Sequence, residues 1–212
     1  MLREACVESL IQAEEAAQKG ADRIELCSRL DLDGLTPDLA LTQQIRSRIK
    51  IPIHVMIRKP TDRYPDDFML SDRAIDEMID EINLFKSFDI QGFVLGMLDK
   101  HRMPDTVKLE KILEHTKGYN VTFHKAIDQS TDIQKALSML KCCTGLTHVL
   151  TSGGATSADQ GVKVLSDMMA NAFPLRIIAA GGITNDNLHQ LHYRLNGLEY
   201  HGKRIVGSLS GQ

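Results

Sequence analysis

Arg23-Ile24-Glu25-Leu26-Cys27 decides the fold. Successive side chains on a strand point to opposite faces, so Ile24 and Leu26 share one face while Arg23, Glu25 and Cys27 share the other. The same two-residue beat recurs in Arg3-Glu4-Ala5-Cys6-Val7-Glu8, His54-Val55-Met56-Ile57-Arg58 and Val121-Thr122-Phe123-His124. Where such strands alternate with amphipathic helices, the apolar face packs under the helices and the polar face lines something central. That is the arrangement of a parallel barrel with a site in its mouth.

Outward from these segments, the sequence predicts strands over about Leu2–Val7, Arg23–Leu26, Ile53–Ile57, Gly92–Leu95, Asn120–His124, His148–Thr151, Arg176–Ala180 and Leu198–His201. Helices fall between them. Ser9 caps one that ends before Gly20, Pro37 starts the second, Ser71 caps the third, and Thr184 or Asn185 caps the last. The stretch from Lys59 to Leu70 is the longest loop. Eight strands separated by seven helices on short connections point to an α/β fold, a TIM (β/α)8 barrel lacking a full eighth outer helix. No Rossmann-type glycine fingerprint follows the first strand, which weakens an open doubly wound sheet. After His201 only a short, Gly- and Ser-containing tail remains, expected to fray and to leave apolar surface between the last and first strands. A second copy of the chain could cover that surface, so a homo-oligomer is expected.

With 212 residues, 42% of them hydrophobic, the chain is read as one domain over 1–212. The net charge of −3 and the lack of a basic stripe argue against nucleic acid, and the absence of Trp removes stacking platforms. No apolar run is long enough to span a membrane or to serve as a signal peptide, so a cytoplasmic location is expected. Cys6, Cys27, Cys142 and Cys143 show no CxxC spacing and are expected to be thiols.

Barrel sites lie at strand C-termini. Glu8, Glu25, Cys27, Arg58, His124, Thr151 and His201 are read as inward-facing there, with Glu4, Cys6, Arg23, His54 and Glu199 deeper. Glu4, Arg23 and Glu199 fit mutual compensation of buried charge. Glu25, Arg58 and His124 stand at strand exits and favour function. In His124-Lys125-Ala126-Ile127-Asp128 the imidazole and the carboxylate could form a proton-transfer pair, unless Asp128 caps the following helix. Ser152-Gly153-Gly154 with Thr151, and Gly181-Gly182 before Thr184, could offer backbone amides to an anion, although turns demand glycine anyway. Cys6 and Cys27 point the same way from adjacent strands. Such thiols could hold Cu(I), or could simply be small buried residues.

Together, Glu4-Ala5-Cys6-Val7-Glu8-Ser9, Gly20 to Cys27, Gly34-Leu35-Thr36-Pro37, Ile51 to Arg58, Val121 to Asp128, Val149 to Gly154 and His201-Gly202 resemble the copper homeostasis protein CutC family across nearly the whole chain. The resemblance implies a cytoplasmic, usually oligomeric TIM barrel that binds Cu(I) through cysteines matching Cys6 and Cys27. The chain departs from the family after Arg58, where Lys59-Pro60-Thr61-Asp62-Arg63-Tyr64-Pro65-Asp66 replaces a pattern like Pro-Arg-Gly-Gly before Asp67-Phe68. Lys125 stands where Arg is usual, which keeps the charge and loses a bidentate fork. Two functions follow as expectations. One is a copper homeostasis protein with Cu(I) on Cys6 and Cys27. The other is a barrel enzyme for a small phosphate- or carboxylate-bearing metabolite. In it Glu25, His124 and Asp128 are acid/base candidates, and Arg58, Thr151, Ser152, Gly153, Gly154, Gly181, Gly182 and His201 bind the ligand.

Overall fold

The computed structural model describes residues 1–59 and 68–211. Most of the Lys59–Leu70 loop, including the departure from the family pattern, lies outside them. Eight parallel strands close on themselves in chain order. They are β1 (Leu2–Val7), β2 (Arg23–Leu26), β3 (Ile53–Met56), β4 (Gly92–Leu95), β5 (Asn120–Phe123), β6 (His148–Thr151), β7 (Arg176–Ala179) and β8 (Glu199–Gly202). Seven helices connect them: α1 (Leu10–Gln18), α2 (Leu39–Arg48), α3 (Asp72–Phe85), α4 (Thr106–Glu114), α5 (Ile133–Leu140), α6 (Val162–Asn171) and α7 (Asn185–Leu195). The fold is a TIM-type barrel without its eighth helix.

Helix starts follow local capping chemistry. The Ser9 hydroxyl accepts from the amide of Gln12, and that of Ser71 from Ala74. The second helix starts later than Pro37 suggests. The Asp38 carboxylate accepts from the amides of Ala40 and Leu41, so Pro37 precedes the cap. In α3, Ile75, Met78, Ile79, Ile82 and Phe85 recur at helical spacing and bury one stripe against the barrel. The outward strand residues, such as Ala5, Val7, Ile24, Leu26, Phe93 and Phe123, meet those stripes in one continuous core.

The tail does not fray as expected. It runs back over α1: Lys19 Nζ donates to the carbonyl of Ser208 at 2.6 Å, Gln12 Nε2 to that of Ser210 at 3.1 Å, and the amide of Ser210 to Glu15 at 2.8 Å. Ile205, Val206 and Leu209 join the main core. Gly and Ser forbid a helix here, yet three apolar residues at suitable intervals suffice to lay an extended strap in its place. The strap thus supplies apolar cover from within the chain where the eighth helix is absent.

Leu209→Ala is predicted to lower the unfolding free energy by about 2–3 kcal/mol, as for other buried leucines. Urea denaturation of the variant checks this, and unchanged stability would mean that the strap only rests on the barrel.

Candidate functional site

Strand registers stack the inward residues into a ladder of charges. Arg23 on β2 lies across from Glu4 on β1. Its Nε donates to Glu4 Oε2, and its Nη2 donates to Glu199 Oε2 at 2.8 Å. Glu199 Oε1 lies 3.3 Å from His148 Nε2. Burial alone would raise both carboxyls. The Arg23 charge and the His201 hydrogen bond outweigh it at Glu4, and His148 and Arg23 outweigh it at Glu199, so Glu4 is held well below the usual carboxylate range and Glu199 near about 2. His54, enclosed beside them, is driven down to about 3 by burial against the pull of Glu4, and stays neutral.

From Glu4 the ladder climbs to the mouth. Its Oε1 is 2.8 Å from His201 Nδ1, and His201 Nε2 is 3.6 Å from Glu25 Oε2. Burial would neutralise this imidazole, but Glu25 and the hydrogen bonds to Cys6 and Glu4 raise its pKa well above the ordinary value. Cys6 Sγ donates to Glu25 Oε2 at 3.0 Å, Cys27 Sγ lies 3.5 Å from the same oxygen, and the two sulfurs are 3.7 Å apart. Leu30, Met56 and Val94 wall them in with apolar surface. At Gly34, whose φ is +88°, a Cβ would stand 3.2 Å from Cys27 Sγ, so the loop passes over this thiol only as glycine. Both thiols resist ionisation. For Cys6 the hydrogen bond with Cys27 and then burial raise the pKa. For Cys27 that bond lowers it, but burial and the Glu25 charge outweigh it and bring the thiol to about 12.

On the opposite wall, His124 follows β5. Its Nδ1 accepts from the amide of Ala126 at 3.1 Å, and its ring lies 5.0 Å from that of Phe68. Burial, then the Arg58 charge, lowers its pKa to about 3. Arg58 donates to the carbonyls of Leu32 and Gly34 at 2.7 and 3.1 Å and lies over the Phe68 ring. Asp128 turns away from His124. Its carboxylate takes the hydroxyl of Thr151, the amide and hydroxyl of Ser152, and the amide of Gly154. The β6 turn is thereby a built anion cradle, and the anion in it is the chain's own. Neither the helix cap nor the proton-transfer pair describes Asp128, and the Ser152 and Gly154 amides are engaged.

A cavity of about 480 Å³ opens at the mouth between these walls. Cys6, Glu25, Arg58, His124, Asp128, Gly181, Gly182 and His201 line it, while Thr151, Ser152, Gly153 and Gly154 do not. Cys27 does not line it: fully buried, it stands beyond Cys6 toward the strand ends, under the Gly34 loop. Thr151 shares the face of Val149, since His148 and Leu150 are the inward residues of β6. Counting back along β6 would have placed it outward. Lys203 and Arg204, past the end of β8, also line the cavity and were missed. The strand-end rule carried two residues further would have reached them.

A closed eight-stranded barrel with its polar groups gathered at the strand C-termini defines a (β/α)8-barrel protein. The CutC family model matches residues 1–206. A family protein CutC of Pasteurella multocida (strain Pm70) is 33% identical over 222 residues, covering 98% of this chain and 89% of its own. The copper homeostasis protein cutC homolog of Homo sapiens is 35% identical over 201 residues, covering 94% and 72%. The crystal structure of a CutC from Streptococcus agalactiae superposes with a TM-score of 0.86 at 26% identity, covering 97% of this chain and 99% of its own. The chain belongs to the CutC family.

Removing the central cation tests the ladder. Arg23→Met leaves Glu4 and Glu199 without their partner and is predicted to cost about 3–5 kcal/mol. In the parent, both carboxyls titrate lower folded than unfolded, so the unfolded chain binds more protons on acidification. Stability is therefore lost as pH falls from the ordinary 4.5 toward about 2. Urea denaturation across that window should show this slope in the parent and a flatter one in the variant.

Proposed function

We propose that this protein is a copper homeostasis protein that holds Cu(I) as cargo at Cys6 and Cys27. One observation carries the reading: two buried sulfurs 3.7 Å apart, both within reach of one carboxylate oxygen. Thiolates are the soft donors that favour Cu(I), and the apolar wall of Leu30, Met56 and Val94 keeps water from the pair. The name of the human relative, a copper homeostasis protein, supports the same reading.

A second grouping, Glu4, Glu25 and His201, also converges within 4.8 Å. It is less suited to a cation, because His201 is held protonated by the same carboxylates. Loading the thiols requires their protons to leave, and Glu25 already accepts from Cys6. The reading puts the protein in the cytoplasm, where reducing conditions keep both thiols available.

Titration with Cu(I) against a chromophoric competitor should give close to one ion per chain in the parent and none at comparable affinity in the Cys6→Ser, Cys27→Ser double variant. Because both thiols titrate high, apparent affinity should rise steeply with pH across about 6 to 8. A double variant that binds as tightly as the parent, or a pH-independent affinity, would rule out this site.

A further inference from the structure

The β7–β8 side of the mouth has features that the thiol pair does not use. Among the described residues the amides of Gly181 and Gly182 donate to nothing. Both have positive φ, +103° and +70°, and a Cβ at Gly181 would stand 2.9 Å from Ser152 Cβ, so glycine is required where this turn packs against the segment after β6. It leads directly into the N-terminus of α7, whose peptide dipoles favour negative charge. Arg204 is tied to the same place, since its carbonyl accepts from the amide of Asn185 at 2.9 Å. Its guanidinium lies at the surface with no side-chain hydrogen bond among the described residues. Asp33 and Asp128 also line the cavity, but Asp128 is occupied by the β6 turn and by Lys125 at 3.9 Å.

Across the cavity, His124 supplies an independent observation. It is 5% exposed, and its Nε2 is buried without a hydrogen-bond partner among the described residues. Nδ1 accepts from the amide of Ala126, so a neutral ring must carry its proton on Nε2. At Gly96 a Cβ would stand 2.5 Å from Nδ1, so this seat for the ring depends on glycine too. A buried donor left unmatched is costly unless a ligand oxygen completes it.

We propose that the cavity binds a small molecule carrying an oxoanion group, phosphate or carboxylate, together with a second oxygen acceptor. The oxoanion lies against the Gly181 and Gly182 amides and Arg204, and the second oxygen accepts from His124 Nε2. The site is separate from the thiol pair and stands or falls without it.

The test titrates the full chain with 2-phosphoglycolate, and in parallel with oxalate and with inorganic phosphate. Melting temperature and the 15N resonances of His124 are the readouts. The expected result is a rise in melting temperature with 2-phosphoglycolate and a shifted His124 Nε2 signal. Arg204→Ala, at an exposed position, should weaken binding about tenfold. A stronger response to inorganic phosphate than to oxalate assigns phosphate to the glycine turn, and the reverse assigns carboxylate. The proposal is overturned if no probe binds at millimolar concentration, if binding leaves the His124 resonance unmoved, or if Arg204→Ala has no effect.

Discussion

Arg23 sits between two carboxylates inside the barrel, and much else is positioned by that compensation. A guanidinium there would be prohibitive alone, and so would Glu4 or Glu199. Together they form a chain of contacts from Glu199 through Arg23 to Glu4, on to His201, Glu25 and the sulfurs of Cys6 and Cys27. Each link sets the state of the next. Glu4, kept ionised by Arg23, holds His201 by Nδ1. His201 presents its other nitrogen toward Glu25. Glu25 then gathers both thiols on one oxygen. The mouth chemistry is therefore anchored in the barrel interior rather than in the loops above it.

The parity of Arg23, Glu25 and Cys27 was enough to place the polar face inward, because a strand has only two faces and Ile24 and Leu26 claim the other. The closed barrel follows from eight such strands on short crossovers. The strap formed by Ile205, Val206 and Leu209 was not legible. Its local composition reads as flexible, and its order comes from Gln12 and Glu15 of α1 and from Lys19 just after it, nearly two hundred residues away in the chain. Propensity describes what a segment does alone, and this segment is never alone.

The site divides along the same line. Cys6 and Cys27 could be paired from sequence, since adjacent strands and matching parity bring them to one side. Asp128 could not be placed. Four donors from Thr151, Ser152 and Gly154 compete for its carboxylate, and no local pattern reveals that the β6 turn and the turn after β5 meet. Thr151 illustrates a different failure. It stands at a strand end, but period two sends it the other way, and position along a strand does not substitute for parity.

One cavity thus has two chemically distinct sides. Near β1 and β2 the donors are sulfur, protonated and enclosed by Leu30, Met56 and Val94, and this is the side on which we propose the soft cation Cu(I). Near β7 and β8 the donors are backbone N–H groups and an exposed guanidinium, which suit a hard, strongly hydrated oxoanion. The thiols of the first side already donate to Glu25, whereas the glycine amides of the second have no acceptor among the described residues. His201 and Glu25 lie between the two, with Glu25 Oε2 facing His201 and both thiols. The barrel mouth is in this way partitioned by charge and softness without a second domain, and the partition is fixed by which strands carry cysteine and which end in glycine.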